Sequence, residues 1–341
     1  MRAIQVRQDL TVRGSDIPVP QPGPGEALVR VRAAGVCGTD LHIVDGMIKP
    51  DTYPMTLGHE AAGVVEQAGP GVALAPGTRV AVFNKLFCGA CEQCLLGRQN
   101  LCTVEPGQLG FNRDGGDAEY VLAPERNLAV LPDNVDFATA AVLTCAGMTA
   151  VHAIRMSGLL SGQTAVVNGV GGVGILVVQV AARAGATVIA VADAAEKAAL
   201  ASRYGAAETI VIGRGDSYAG LPEAVRSRAG GRGADVFFEL VGTTDTMTAG
   251  IRSLAPRGRF VSTGYTDQEL QIHPIEFILS EASLVSTVAA TRTDLNDAIA
   301  MAAAGALTVP LAGSYPLDGI ADALAALRSR SVLGRQVLVP G

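Results

Sequence analysis

Residues 166–174 read Val-Val-Asn-Gly-Val-Gly-Gly-Val-Gly, and no other stretch of the chain indicates its fold so strongly. Gly169, Gly171 and Gly174 form a Gly-x-Gly-x-x-Gly pattern between two apolar runs. The first glycine permits a tight turn, the second lets a pyrophosphate approach the backbone, and the third lets a helix pack closely on a sheet. With Gly172 and Val173 in the same turn, the pattern predicts a strand, an anion-binding turn and a helix.

Apolar runs alternate with helical stretches on both sides of this turn. The candidate strands are Thr164–Val167, Thr187–Ala192, Thr209–Ile212, Asp235–Leu240, Arg259–Ser262 and Ser283–Val288. Six strands spaced in this way predict a parallel sheet with crossover helices, the doubly wound α/β class. Asp193 follows the second strand, 19 residues beyond Gly174. A carboxylate there would bind the ribose hydroxyls of a dinucleotide, so we prefer dinucleotide binding to a purely structural turn.

Asp193 also bears on the choice between NAD and NADP. A carboxylate repels the 2′-phosphate of NADP, and we therefore predict NAD. Asp193 directly follows Ala192, however, and could be displaced into the loop near Lys197. NADP remains open as the alternative coenzyme.

The first 145 or so residues have a different character. They are dense in Gly and Pro, with short β-rich runs such as Ala27–Val31 and Arg79–Phe83, which predicts a mostly β domain with irregular loops. After residue 290, helices are expected over Asp294–Ala303 and Asp318–Arg328, followed by a strand over Gln336–Val339. At roughly 150 residues per domain, the length favours two domains, or one domain inserted in another.

The composition argues against several classes of protein. Hydrophobic residues make up 49% and charged residues 17%, which excludes charge-driven disorder. The net charge of −6, without a basic cluster, argues against a nucleic-acid partner. Ala165–Ala182 carries no charge, but its four glycines favour a buried strand, turn and helix over a membrane span. Residues 1–6 lack the features of a signal peptide, so we expect a cytoplasmic location and no membrane partner.

Four of the six cysteines lie within one short stretch, at about residues 86–103. They are Cys88, Cys91, Cys94 and Cys102. In a cytoplasmic chain, thiolates this close together favour tetrahedral zinc over disulfides. Four thiolates leave no open coordination position, so a structural zinc is predicted, with redox-active thiols as the alternative.

Cys37 and Cys145, the remaining cysteines, can be combined with His59. Residues 37–42 read Cys-Gly-Thr-Asp-Leu-His and residues 58–60 read Gly-His-Glu. Two thiolates and one imidazole would neutralise Zn²⁺ and leave a fourth position for water or substrate. The alternative is that both cysteines are small buried residues and that the histidine is satisfied by hydrogen bonds.

Taken in chain order, these motifs resemble the zinc-containing medium-chain dehydrogenase/reductase family, which includes alcohol dehydrogenases. The resemblance spans essentially the whole chain. It implies a GroES-like β-rich catalytic domain over residues 1–146, including the cysteine lobe, and a Rossmann coenzyme domain over residues 147–288. Residues 289–341 would complete the catalytic domain.

The resemblance also implies two zinc ions and their ligands. The catalytic zinc would be held by Cys37, His59 and Cys145. The structural zinc would be held by Cys88, Cys91, Cys94 and Cys102.

The other motif residues acquire roles from the same resemblance. Thr39 would bond the substrate oxygen, and His42 would form the outer end of a proton relay. Asp40 would orient His59, and Glu60 would exchange with water at the metal. Two further residues would contact the coenzyme, at the nicotinamide and at the pyrophosphate respectively: Thr149 and Arg335.

The implied activity is hydride transfer between a primary or secondary alcohol and NAD(P), giving an aldehyde or ketone. The substrate would be a small molecule, and the protein a homodimer or homotetramer. Two alternatives remain open. One is a dehydrogenase of the same fold that acts on a polyol, sugar or amino-acid alcohol, for which residues 38–42 are equally suitable. The other is a non-catalytic dinucleotide-binding protein with only the structural zinc.

Overall fold

The computed structural model describes residues 1–105 and 107–341, which form two separate units. The first consists of Met1–Met148 and Ala289–Gly341, and the second of Thr149–Val288. The sequence placed the first boundary after residue 146, two residues earlier than the structure does. This boundary lies at the start of a helix, which begins at Met148 directly after a π-helical turn.

The amino-terminal part of the first unit is mostly β. Its strands are β1 (Arg2–Val6), β2 (Val12–Asp16), β3 (Glu26–Val36), β4 (Met55–Thr56), β5 (Ala61–Ala68), β6 (Arg79–Val82), β7 (Tyr120–Pro124) and β8 (Leu128–Val130). Its helices are α1 (Gly38–Val44), α2 (Glu92–Leu95) and α3 (Phe137–Val142). Loops fill the long intervals between strands, as the density of Gly and Pro predicts.

The second unit alternates helices and strands. Its helices are α4 (Met148–Ser157), α5 (Gly174–Arg183), α6 (Ala195–Arg203), α7 (Leu221–Arg228), α8 (Thr244–Arg252) and α9 (Pro274–Ser280). Its strands are β9 (Thr164–Asn168), β10 (Thr187–Ala192), β11 (Glu208–Val211), β12 (Ala234–Glu239), β13 (Leu254–Ser262) and β14 (Ser283–Ser286).

These six strands form one parallel sheet in the order β11-β10-β9-β12-β13-β14. The order reverses between β9 and β12, which is the switch point of a doubly wound sheet. The expected α/β class and all six strands are confirmed. Helices can cover both faces of such a sheet, which explains why residues 165–168 of β9 are all buried.

The carboxyl-terminal part of the first unit contains α10 (Arg292–Ala303), β15 (Leu311–Tyr315), α11 (Ile320–Arg328) and β16 (Arg335–Leu338). β16 pairs antiparallel with β3, so the chain end returns to the amino-terminal sheet. The larger sheet has the order β15-β16-β3-β5-β6-β8, with β7 also paired to β3. A smaller sheet has the order β2-β1-β4.

Among the described residues, the helical run Phe137–Ser157, 21 residues in length, is long and apolar enough to cross a membrane. However, 67% of its most apolar stretch is buried within the protein. Apolar side chains that pack against protein are typical of a core helix. The uncharged segment Ala165–Ala182 divides into β9, the glycine turn and most of α5, as the sequence predicts.

Candidate active site

A cluster of potential metal ligands lies in the first unit. Cys37, His59, Glu60 and Cys145 each offer one ligand atom, and these atoms all lie within 4.8 Å of one another. Strand pairing explains part of this arrangement. β3 and β5 are antiparallel neighbours with Ala34 opposite Ala61, so the residues just after β3 lie beside those just before β5.

Cys145 reaches the cluster from a π-helical turn, Leu143–Gly147, between α3 and α4. Such turns hold one extra residue and occur frequently at functional sites. Gly147 leaves room for the packing of this turn, because a Cβ there would lie 2.5 Å from the Leu143 side chain. The turn thus presents Cys145 beside two residues that are distant in sequence.

Asp40 fixes the His59 ring. Its Oδ1 lies 3.1 Å from His59 Nδ1, and its Oδ2 accepts a 2.7 Å hydrogen bond from the Cys37 backbone N–H. With Nδ1 protonated and facing Asp40, the lone pair of His59 Nε2 is left for a metal. That nitrogen is buried and has no hydrogen-bond partner among the described residues. Glu60 Oε1 lies 3.7 Å from it, beyond hydrogen-bond distance. A buried nitrogen without a hydrogen bond costs free energy, so the ring fits a metal ligand better than a structural histidine.

The charges of the cluster also favour a cation. The Cys145 thiol and the Arg335 guanidinium hold the pKa of Cys37 well below its usual range despite burial. Burial raises the pKa of Glu60 to about 7, against the effect of Arg335. A thiol with a lowered pKa and a carboxyl group therefore lie close together in a largely buried cluster. Two sulfurs and an imidazole nitrogen form one of the donor sets that catalytic zinc uses.

Arg335 pairs with Glu60. It is 4% exposed, and its Nη2 donates to Glu60 Oε2 over 2.6 Å. Gly35 makes this possible, because a Cβ there would lie 2.0 Å from Glu60 Oε2. The sequence assigned Arg335 to the coenzyme pyrophosphate. The structure shows its partner to be a carboxylate of the metal cluster, and the pyrophosphate contact stays a prediction.

Thr39 and His42 lie on α1, three residues apart and therefore on one face of the helix. The Thr39 hydroxyl oxygen lies 3.8 Å from Cys37 Sγ, which places it at the edge of the metal cluster. Both side chains are half-buried. This placement is compatible with the expected proton relay, which stays a prediction.

The second sulfur cluster contains the four cysteines of the lobe, and their ligand atoms also lie within 4.8 Å of one another. The sulfurs of Cys88 and Cys102 are 3.7 Å apart, and those of Cys88 and Cys94 are 3.9 Å apart. A disulfide needs about 2.05 Å, so the cysteines are free thiols. Their mutual spacing fits four ligands around one zinc ion.

Backbone N–H groups surround these sulfurs. Those of Ala90 and Cys91 donate to Cys88 Sγ over 3.4 and 3.3 Å, and that of Cys88 donates to Cys102 Sγ over 3.4 Å. Burial alone would raise the pKa of Cys102, but N–H groups of the neighbouring backbone lower it to about 6. Such donors stabilise thiolates, so the lobe is preorganised for a dication.

The glycine turn of the second unit joins β9 to α5, with Gly172 and Val173 just before the helix. Gly169 has φ +101°, a backbone conformation that is strained for any residue with a side chain. Gly174 approaches the strand end closely, because a Cβ there would lie 1.9 Å from the Gly169 carbonyl oxygen. A Cβ on Gly171 would meet nothing within 4 Å, so space is left beside its backbone. The turn fits a pyrophosphate at the amino terminus of a ten-residue helix.

Asp193 directly follows β10 and is held by two cations. Its Oδ1 lies 2.7 Å from Lys197 Nζ, and its Oδ2 lies 3.2 Å from Arg214 Nε. Burial opposes ionisation, but these cations lower the pKa of Asp193 overall. The sequence suggested Lys197 as a neighbour and missed Arg214. The available signal was that Arg214 follows β11, whose carboxyl end lies at the same sheet edge.

The chain matches two family descriptions, "Alcohol dehydrogenase GroES-like domain" over residues 23–133 and "Zinc-binding dehydrogenase" over residues 172–304. An alcohol dehydrogenase of Geobacillus stearothermophilus is 33% identical over 338 residues, which cover 98% of this chain and 97% of that protein. This chain belongs to the zinc-containing medium-chain dehydrogenase/reductase family. The GroES-like match of this dehydrogenase lies within its first unit, and the zinc-binding dehydrogenase match covers most of its second unit.

Other relatives of this dehydrogenase match it along its whole length. An NAD-dependent alcohol dehydrogenase of Sulfurisphaera tokodaii is 32% identical over 351 residues, which cover 100% of this chain and 99% of that protein. The crystal structure of an alcohol dehydrogenase from Aeropyrum pernix superposes with a TM-score of 0.92 at 32% identity, and all of both chains is covered.

One expected coenzyme residue of this dehydrogenase is less defined by its surroundings. Thr149 is half-buried near the start of α4, four residues after Cys145. Its contact with the nicotinamide stays a prediction.

Proposed function

We propose that this dehydrogenase interconverts an alcohol and an aldehyde or ketone, with NAD as the hydride acceptor. The cluster of Cys37, His59 and Cys145 carries this proposal, because two sulfurs and one imidazole nitrogen form a donor set that catalytic zinc sites use. The glycine turn in the same chain would bind the pyrophosphate of a dinucleotide. Named alcohol dehydrogenases that match the whole chain support the same reaction.

When bound, zinc would supply a Lewis acid for the substrate oxygen, and NAD would supply the hydride acceptor. The residues of the chain do the rest. Asp40 keeps the proton of His59 on Nδ1, so that Nε2 stays available as a ligand. Arg335 neutralises Glu60, which limits the negative charge around the ligands.

The proton of the alcohol must leave before or during hydride transfer. The Thr39 hydroxyl stands beside Cys37, where it can accept a hydrogen bond from the substrate hydroxyl. We propose that it passes the proton towards His42 at the other end of the short helix.

Replacing Thr39 with valine tests this proton path. The side chain keeps its shape and loses the hydroxyl, so we expect the turnover number to fall by about a hundredfold or more, the usual share of acid–base catalysis. Thr39→Ser is expected to stay within about tenfold of wild type because it keeps the hydroxyl. Steady-state rates, measured on preparations whose content of both zinc ions is known, test this expectation. Equal losses in the two variants would show that the hydroxyl has no part in proton transfer.

Coenzyme choice follows from Asp193. Its carboxylate would repel a 2′-phosphate, whereas Lys197 and Arg214 would attract one once the carboxylate is removed. We therefore expect Asp193→Ser to shift the ratio of kcat/KM for NAD over NADP by about a hundredfold or more towards NADP, or about 2.7 kcal/mol. The exposed Asp216→Ser is the matched control and should leave the ratio unchanged. An unaltered ratio in Asp193→Ser would remove this residue from coenzyme selection.

A homo-oligomer is part of the proposal. β14 lies at the edge of the six-stranded sheet, and Leu284 on it is 52% exposed. On α9, Ile278 is 68% and Leu279 is 80% exposed. An apolar edge strand invites pairing with another chain, so a second copy would cover it in a homodimer or homotetramer. The cytoplasmic location stays a prediction.

A further inference from the structure

The switch point of the Rossmann sheet contains a buried carboxylate that the proposed reaction does not use. Glu239 is the last residue of β12, and its partner across the strand pair is Asn168, the last residue of β9. Both are 0% exposed. The sheet order reverses between these two strands, and ligands of doubly wound sheets bind at the carboxyl ends on either side of that reversal.

The Glu239 carboxylate accepts four hydrogen bonds. Oε2 accepts one from Asn168 Nδ2 over 2.8 Å. Oε1 accepts from the backbone N–H groups of Val241 and Gly242 over 2.8 and 2.7 Å, and from Thr246 Oγ1 over 3.1 Å. One side chain therefore joins the end of β9, the loop after β12 and the first turn of α8.

That loop packs directly against the glycine turn. A Cβ on Gly169 would lie 3.0 Å from Val241 Cγ2, and one on Gly174 would lie 3.2 Å from Leu240 Cδ1. The loop after β12 therefore borders the space into which the turn presents its N–H groups. If the loop moved, that border would change.

A carboxylate is otherwise a poor neighbour for a pyrophosphate. Like charges repel, and burial raises the pKa of Glu239. Its four donors offset the cost of burying the charge, as buried charges require. The geometry of these bonds, rather than the charge, is what the site gains from Glu239.

We infer that Glu239 is a positioning residue for the coenzyme: through Asn168 and the N–H groups of Val241 and Gly242 it holds the loop after β12 against the glycine turn. The inference rests on the proposed use of NAD. It requires that the hydrogen bonds of Glu239 fix the loop at the switch point. It does not require Glu239 itself to contact the coenzyme.

Two substitutions separate geometry from charge. Glu239→Ala removes all four bonds. Glu239→Gln keeps an acceptor for Val241 and Gly242, and its amide can donate to Asn168 Oδ1, which has no partner among the described residues. We expect the dissociation constant of NADH to rise about tenfold or more in Glu239→Ala and to stay within about threefold of wild type in Glu239→Gln.

Asp235 offers a matched control. It accepts a 2.8 Å hydrogen bond from the Thr164 backbone N–H and so joins the same two strands at their amino ends. Asp235→Ala should lower the melting temperature without changing the NADH dissociation constant. Equal weakening of NADH binding in Asp235→Ala and Glu239→Ala would reduce Glu239 to a structural role and overturn the inference.

The experiment is a fluorescence titration of each purified variant with NADH, with zinc content and melting temperature measured in parallel. If Glu239→Ala does not fold, Asn168→Ala is titrated under the same criterion, since it removes the bond between the two strand ends. Wild-type protein that fails to bind NADH overturns the proposed function together with this inference. Normal wild-type binding with an unchanged constant in Glu239→Ala overturns the inference alone, and tighter binding in Glu239→Gln would show that charge dominates.

Discussion

Cys37→Ala is expected to abolish alcohol oxidation and to lower the zinc content from two ions to one per chain. Cys37 provides one of two sulfurs in the cluster with His59 and Cys145, and its thiol has a lowered pKa, so it is ready to bind a cation as thiolate. Loss of this ligand removes the Lewis acid, whose contribution of several kcal/mol corresponds to about a thousandfold or more in rate. Elemental analysis and turnover of the same preparation measure both effects.

Asp45→Ala is the matched control for this substitution. Asp45 lies at the other end of α1 and forms an exposed ion pair with Arg328, 2.7 Å in length. Exposed pairs of this kind contribute about 0 to 1 kcal/mol, so the control should retain both zinc ions and its activity. If Cys37→Ala kept two zinc ions and most of its turnover, the cluster would not be the site of the catalytic metal.

Cys102→Ser is expected to affect stability most. The four-cysteine lobe holds only the short helix α2 as regular α-structure, and Leu95 and Leu96 are 75% and 57% exposed, so the lobe has little apolar core of its own. Zinc binding stabilises folded zinc-finger peptides by about 10 to 16 kcal/mol near neutral pH. We expect the variant to lose one zinc ion, to melt at a clearly lower temperature and to be cleaved by proteases within residues 86–103.

The same variant separates the structural role from the redox alternative. A structural site has no open position, so turnover per catalytic zinc should persist at temperatures where the variant is folded. Leu96→Ala, in the same lobe, should leave zinc content and melting temperature nearly unchanged. A Cys102→Ser protein with wild-type stability and two zinc ions, whose remaining thiols form disulfides readily, would support redox-active cysteines.

The sequence predicted the second unit well because its signals are local. The turn after β9 needs glycine where φ is +101°, and buried parallel strands require continuous apolar runs. Each signal lies within a few neighbouring residues. The six strands could therefore be assigned without knowledge of which strand pairs with which.

The first unit was harder, since its site depends on contacts between distant residues. Cys37, His59 and Cys145 meet only because β3 pairs with β5 and because a π-helical turn presents Cys145. The sequence offered these residue types as compatible with zinc, and the family resemblance supplied their assignment. No local pattern signals a π-helical turn in this segment.

Polar pairs formed across the fold were the part that sequence reasoning missed. Arg335 and Glu60 are 275 positions apart, and Asn168 and Glu239 are 71 apart. Buried polar and charged residues of this kind look like ordinary surface residues in a sequence, because burial depends on tertiary packing. Only the three-dimensional structure reveals that each needs the other.

The decisive measurement is the formation of reduced coenzyme, followed by its absorbance, when the protein with both zinc ions bound is given alcohols of five classes. Short primary, secondary, aromatic and polyhydroxy alcohols, with an amino-acid alcohol added, are each tested with NAD and with NADP. We predict turnover with at least one of them, faster with NAD, and its loss in Cys37→Ala. A protein that holds two zinc ions and binds NADH, yet oxidises no alcohol and reduces none of the matching carbonyl compounds, would contradict the proposed function.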